Sequence, residues 1–146
     1  MEPEMRILDP ETAVERILEL LDHTDPVPLV ISGTSMAPFL AHHRDTVYLS
    51  RIREMPRVGD MVLYRRDTGR YILHRIIGIR GDMCCLLGDR QTQPEPGIRR
   101  EQLLAVVTAV RRDGKLIGPG HPVWEFFRGP WRWLRPLRPW LLRSFR

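Results

Sequence analysis

The sequence predicts a mainly β single domain with an amphipathic helix before it and an aromatic-basic segment after it. The chain has 146 residues, a length that suits one hydrophobic core. Its middle contains short apolar runs separated by Gly, Pro and Asp, with no βαβ alternation and no internal repeat. We therefore divide the chain into an N-terminal helix and linker (1–26), a β-rich domain (27–118) and a C-terminal segment (119–146).

The first predicted element is an amphipathic helix from Pro10 to about Asp22. Asp9 supplies a capping side chain, and proline suits the first helical position. Apolar residues then recur at helical spacing, at Val14, Ile17, Leu18 and Leu21. We expect this apolar face to pack on the domain or on a partner.

After the linker the apolar pattern changes to a β type. Strands are predicted near residues 29–32, 46–51, 61–65, 71–79, 83–87 and 103–110. The stretch that follows Gly88 is Pro-rich and is predicted as a loop. A hairpin turn at residues 112–115 then leads to a short last strand at Leu116 and Ile117.

The sequence predicts no metal, no cofactor and no membrane span. Cys84 and Cys85 are adjacent in an apolar run with no metal-ligand spacing around them, which favours two core residues. The N-terminus opens with Glu2 and Glu4 instead of a basic and apolar leader. No apolar run approaches the roughly 18 residues that a membrane span requires.

The C-terminal segment combines aromatic and basic residues. All four tryptophans lie there, and residues 121–146 contain six arginines and one acid, Glu125. Three prolines, at positions 130, 136 and 139, exclude one continuous helix. The formal charge of +5 suits an anionic partner. We favour short amphipathic turns on an anionic membrane surface; packing on the domain or a partner, and the less favoured binding of nucleic acid, stay open.

Ser35 is a candidate nucleophile. It follows a predicted strand in the turn Ser32-Gly33-Thr34-Ser35-Met36-Ala37-Pro38, where its backbone N–H can point at a bound carbonyl. Attack requires a base, and 22 of the 23 basic residues are arginine, which is too basic to accept the proton. A histidine or Lys115, the only lysine, must therefore serve. The alternative is a serine that only satisfies the backbone of its own turn.

His74 and Asp89 are candidates for the other two roles. Strand alternation places His74 on the same face as Ile72 and Ile76, where partial burial keeps the imidazole neutral as a general base requires. A hydrogen-bonded core histidine is the alternative interpretation. Asp89 follows Gly88 at the end of a strand, and its carboxylate can either orient the imidazole or only close a turn.

Four stretches together resemble the signal peptidase family of serine endopeptidases, within the broader group that includes the self-cleaving repressors. They are residues 32–38, 58–62, 74–78 and 88–90, in the family's order. Histidine at position 74 matches the version of the family that uses a histidine base. The resemblance implies a signal-peptidase-like β-rich fold with Ser35 as nucleophile and oxyanion-binding backbone, His74 as base and Asp89 completing the site. Glu95 falls where histidine-type members tend to carry a second acid.

The resemblance implies an endopeptidase that removes a leader or signal-like segment from a peptide or protein precursor. The chain departs from the family in lacking the usual N-terminal span, in Gly33 replacing an oxyanion-hole serine and in Arg90 replacing an asparagine. We expect a cytoplasmic enzyme that can associate peripherally with the inner membrane face. One alternative is a catalytically silent accessory protein that binds peptides or membranes. The other is a self-cleaving repressor-type protease, disfavoured because no Ala-Gly or Cys-Gly pair precedes Ser35.

Overall fold

The structure is a computed structural model that describes residues 10–145, with side chains described for residues 12–143. Eight antiparallel strands form one sheet with helices at both ends of the chain. The strands are Val27–Val30 (β1), Asp45–Ser50 (β2), Met61–Arg65 (β3), Tyr71–Arg80 (β4), Met83–Leu87 (β5), Glu95–Arg99 (β6), Leu103–Arg112 (β7) and Lys115–Ile117 (β8). The helices are Pro10–Leu21 (α1), Pro122–Arg128 (α2), Pro130–Trp133 (α3) and Arg138–Leu141 (α4), with 3-10 turns at Arg100–Gln102, Arg135–Leu137 and Leu142–Phe145. The predicted mainly β class is confirmed, whereas the predicted cap at Asp9 lies outside the described residues.

The order of strands leaves two stretches of backbone edge open. The sheet runs β1-β2-β7-β3-β4-β5-β6, and β8 pairs with the end of β7. The strand β1 is therefore an edge strand that pairs only with β2 within the described sheet. The first half of β4 pairs with β3, but β5 pairs only with residues 75–80 of β4. Residues 71–74 consequently keep one edge unpaired among the described strands.

Apolar side chains pack on both faces of the sheet. The strand β3 alternates between two clusters: Met61 and Leu63 belong to the larger one, and Val62 and Tyr64 to the smaller one. The helix α1 contributes to the larger cluster through its predicted apolar face, at Val14, Ile17 and Leu21. Since burial of each such side chain contributes about 1.5–3 kcal/mol, this face explains why α1 docks on the sheet.

The strand β6 was not predicted from the sequence. Its residues Glu-Pro-Gly-Ile-Arg look like a loop because Pro and Gly are poor strand formers. The strand lies at the edge of the sheet and pairs only with β5 within the described residues, with an irregularity in its register. Pro96 is tolerated there because an edge strand needs only half of its backbone N–H groups for pairing.

The C-terminal segment packs on the domain along one of its faces. Phe39, from the loop after Ser35, contacts the rings of Trp124 and Phe127 with centroid distances of 6.1 and 5.0 Å. Trp131 and Leu142 are buried in the same core cluster. On this face the C-terminal segment therefore packs on the domain, which is one of the three roles predicted for it. No helix in the described part of the chain is long and apolar enough to span a membrane.

Candidate active site

The turn after β1 places Ser35 at a cavity of about 380 Å³. Gly33 opens the turn with a φ of +96°, a conformation that favours glycine, and its N–H donates to His42 Nδ1 at 2.8 Å. Ser35 itself is half-buried. Within the described residues, neither its hydroxyl nor its backbone N–H has a hydrogen-bond partner. Both groups are therefore free to contact a molecule in the cavity.

His74 lines the same cavity from the unpaired half of β4. Its side chain is only 3% exposed, and it lies on the face of Ile72 and Ile76, as the alternation predicts. A Cβ built on Gly88 would lie 3.0 Å from His74 Nε2 and 2.5 Å from the carbonyl oxygen of Ser35. The imidazole and the Ser35 turn thus pack against the same glycine. No hydrogen bond joins Nε2 to the Ser35 hydroxyl.

Tyr64, which the sequence analysis did not identify, connects His74 to Glu95. The Tyr64 hydroxyl donates to Glu95 Oε1 at 2.5 Å and lies 3.3 Å from His74 Nδ1. Because this hydroxyl has one proton and donates it to the carboxylate, its oxygen accepts from the Nδ1–H of the imidazole. Nε2 then carries the lone pair that a general base needs.

Burial, more than the surrounding charges, keeps His74 neutral at pH 7. Burial lowers the pKa of His74 to about 4, the charge of Arg66 acts in the same direction, and Glu95 opposes both. Burial acts to raise the pKa of Glu95, but hydrogen bonds from Tyr64 and Arg66 outweigh it and hold that pKa below its usual range. Burial and the contact with Glu95 also raise the pKa of Tyr64. The neutral imidazole therefore faces an ionised carboxylate through a protonated phenol.

Asp89, which was predicted to orient the imidazole, makes no hydrogen bond to His74. Its two carboxylate oxygens accept from Arg75 Nε and Nη2, both at 2.8 Å. Arg75 follows His74 directly, so its side chain leaves β4 on the opposite face. Both members of this ion pair are at most 3% exposed. The Asp89 carboxylate thus binds Arg75 on the face of β4 opposite to His74.

Residues 88–91, here named the 88–91 loop, support the Ser35 turn. The backbone N–H of Arg90 donates to the Ser35 carbonyl at 3.0 Å. Within the loop, Gly88 N–H donates to Gln91 Oε1 at 3.1 Å. Glycine is required at position 88 because a Cβ at 2.5 Å from a backbone oxygen leaves no room for a side chain. The loop thus fixes both the backbone of the nucleophile candidate and its approach to the imidazole.

The structure brings Ser35 and His74 to one cavity, and Tyr64 connects His74 to Glu95, which lies outside the lining. Asp89 is bound to Arg75 instead. Sequence reasoning missed Tyr64, Arg66 and the C-terminal side chains that hold the 88–91 loop. A tyrosine inside an apolar strand gave no signal, because the predicted strand did not show which residue would lie opposite. In the described residues, no group of three or more His, Cys, Asp or Glu is placed to hold a metal ion.

Comparisons with known proteins give this geometry no family. No family model matches the chain, and no curated protein matches it.

Proposed function

We propose that this chain is a serine endopeptidase of the signal-peptidase-like, histidine-base type, which removes a leader or signal-like segment from a peptide or protein precursor. One observation carries the proposal: Ser35 and His74 line one cavity, and Tyr64 holds the imidazole so that Nε2 carries the lone pair. The four sequence stretches that resemble the family support the same fold and site. They also favour histidine over the single lysine as the base.

The substrate segment binds as an extended strand between the two open edges that border the cavity. Residues 29–33, at the end of β1, line one side of it, and residues 70–74, at the start of β4, line the other. A peptide placed there adds to the sheet through main-chain hydrogen bonds, which recognise extended backbone in any sequence. Most of the lining is apolar, from Leu29, Ile31, Met36, Leu63 and Leu73. We therefore expect apolar side chains near the scissile bond.

The residues divide the chemistry of peptide hydrolysis among them. Ser35 Oγ attacks the scissile carbonyl carbon while its proton passes to His74 Nε2. The backbone N–H of Ser35 donates to the oxyanion that forms. The C–N bond then breaks as His74 returns the proton to the leaving amine, and water, activated by the same imidazole, hydrolyses the acyl-enzyme. Glu95, through Tyr64, stabilises the imidazolium that exists between these steps.

A catalytically silent peptide-binding protein is the second candidate, and two observations favour it. The Ser35 hydroxyl and Nε2 are not hydrogen-bonded to each other in the structure. A histidine whose pKa is about 4 is also a weaker base than one near 7. Closure of the hydroxyl onto Nε2 when a peptide fills the cavity answers the first point, because catalytic hydrogen bonds often form only with substrate.

Cleavage of a proteome-derived peptide library, read by mass spectrometry as new termini, distinguishes the two candidates. We expect the native protein to produce a consistent set of cuts, and Ser35→Ala and His74→Gln to reduce their rate by at least about a thousandfold. Ser50→Ala, in β2, is the matched control and should cut as the native protein does. No cuts by the native protein, or equal cuts by Ser35→Ala, would refute the proposal. Intact-mass spectra of the same samples report self-cleavage, which would favour the repressor-type alternative.

The outward face of the C-terminal segment is proposed to rest on an anionic lipid surface. Three apolar side chains are exposed there at i, i+4 and i+7 spacing: Trp133 at 79%, Leu137 at 53% and Trp140 at 69%. The sequence has no acid after Glu125, so the charged side chains that follow it in this segment, such as Arg143, are all positive. Exposed tryptophans flanked by arginines are typical of segments that lie in the headgroup region. We propose that the enzyme works in the cytoplasm, at the inner membrane face.

Vesicle sedimentation tests this surface separately from the chemistry. The native protein should bind vesicles of phosphatidylglycerol and phosphatidylcholine, and bind vesicles of phosphatidylcholine alone much less. The double variant Trp133→Ser/Trp140→Ser should lose binding yet keep its activity on short peptides. Equal binding by that variant, or stronger binding to DNA than to the anionic vesicles, would overturn the assignment.

A further inference from the structure

We propose that Arg138 and Trp131, in the C-terminal segment, are positioning residues that hold the 88–91 loop and thereby place Ser35 against His74. The inference rests on the proposed function, because it assigns a role in the chemistry of Ser35. Neither side chain lines the cavity, so neither touches the reacting atoms.

The two side chains bind three of the four carbonyl groups of the 88–91 loop. Arg138 Nη1 donates to the carbonyl of Gln91 at 2.9 Å and to that of Gly88 at 3.4 Å. Trp131 Nε1 donates to the carbonyl of Asp89 at 2.9 Å. The pair is itself joined, since Arg138 Nη2 donates to the Trp131 carbonyl at 3.2 Å and the guanidinium lies 5.1 Å from the indole centroid. The loop is thus fixed at both ends and in its middle by one planar cation and one indole.

The 88–91 loop in turn contacts the candidate nucleophile, Ser35. Arg90, the residue whose carbonyl is not bound by the pair, donates its N–H to the Ser35 carbonyl at 3.0 Å. Gly88 contacts both the Ser35 backbone and the imidazole edge. A shift of the loop therefore changes the distance between the Ser35 hydroxyl and Nε2 directly.

The burial of Arg138 indicates that it has more than a packing role. The residue is 1% exposed, it pairs with no carboxylate in the described part of the chain, and its Nε has no hydrogen-bond partner. Burying an arginine in this way costs free energy, and an apolar side chain of similar length often serves stability equally well. The guanidinium offers what an apolar chain cannot, namely several donors in a rigid plane that fix the positions of carbonyl groups.

The test uses Arg138→Met, with Arg135→Met as the matched control at an exposed position of the same segment. With the best-cleaved peptide of the library, Arg138→Met should lower kcat at least about tenfold and leave KM within about twofold, because misplaced reacting atoms slow chemistry more than binding. The pH of half-maximal kcat/KM should not move, since the contacts of His74 with Tyr64 are unchanged. Arg138→Lys should recover part of the activity, whereas Arg135→Met should retain all of it.

Trp131→Phe keeps an aromatic ring but removes the indole N–H, so it should lower kcat a few-fold in a folded protein. If Arg138→Met does not fold, the kcat of Trp131→Phe tests the inference. Native kcat in both folded variants, or a loss confined to KM, would overturn the inference. Hydrogen exchange at the Arg90 amide supplies a readout that needs no activity: it should be faster in Arg138→Met than in Arg135→Met, with the amides of β3 unchanged. If the native protein cuts no peptide, the proposed function fails, while this exchange difference still reports whether the pair holds the loop.

Discussion

Two carboxylate–arginine pairs lie on opposite faces of β4, and they differ in burial and in what they contact. Asp89 and Arg75 form a bidentate pair in which neither side chain is more than 3% exposed. Glu95 and Arg66 are about one-third exposed, and Glu95 also accepts the hydroxyl proton of Tyr64. The first pair faces the core and the 88–91 loop, whereas the second reaches the imidazole.

The difference shows that the acid next to Gly88 is not the acid whose contacts reach the candidate base. His74 and Arg75 are neighbours in one strand, so their side chains must take opposite faces and opposite partners. The Arg75 pair is sealed from water, and removal of one partner leaves a buried charge. The Arg66 pair stays in contact with solvent, where an ion pair adds little to stability but can set the charge around a base.

The largest effect should follow from breaking the buried pair. Asp89→Asn keeps the shape of the side chain but leaves Arg75 without its counter-ion, so we expect a loss of about 3–5 kcal/mol in the free energy of unfolding. Urea unfolding measures it. The double variant Asp89→Leu/Arg75→Met, which removes both charges, should regain much of that loss. A loss below about 1 kcal/mol for Asp89→Asn, the range of an exposed pair, would contradict the structural role assigned to Asp89.

Much of this site could be predicted from the sequence, because local patterns encode it. Strand alternation correctly placed His74 on the face of Ile72 and Ile76. The position of Ser35 in a turn directly after a strand followed from its glycine and proline neighbours. These are short-range properties, set by the backbone period and by turn chemistry.

The parts that the sequence did not reveal all depend on contacts between distant strands. Tyr64 contacts His74 because β3 pairs with β4. Glu95, in β6, contacts Tyr64 because β6 pairs with β5, which pairs in turn with β4. For Asp89, one signal was present: a buried arginine is usually paired with an acid, and Arg75 lies inside an apolar strand. Nothing in the spacing of Trp131 and Arg138 indicated that both would bind the 88–91 loop.

A substitution in the Glu95–Arg66 pair should change the free energy of unfolding less than Asp89→Asn does, but it should clearly lower kcat. Glu95→Gln removes the charge that stabilises the imidazolium but keeps a hydrogen-bonding side chain. We expect kcat to fall by about 10- to 100-fold, because Glu95 acts on the imidazolium only through Tyr64, and the free energy of unfolding to change by less than about 1 kcal/mol. Peptide kinetics and urea unfolding measure the two quantities on one preparation. A larger loss of stability than in Asp89→Asn would reverse the roles that we assign to the two acids.

The smallest predicted effect is a shift in pH dependence when Arg66 is replaced. His74 accepts a proton from Ser35 only while it is neutral, so kcat/KM of the native protein should fall as the pH drops through the histidine pKa of about 4. Arg66→Gln removes a cation that lowers this pKa and leaves the Glu95 charge that raises it, so the fall should begin at a higher pH. Because Arg66 is one-third exposed, solvent screens its charge and the shift should be less than about one pH unit.

Arg70→Gln, at another cation of the cavity lining that makes no contact with Glu95, is the control and should leave the midpoint in place. An unchanged midpoint in Arg66→Gln, or one displaced to lower pH, would show that the second pair does not set the charge state of the base.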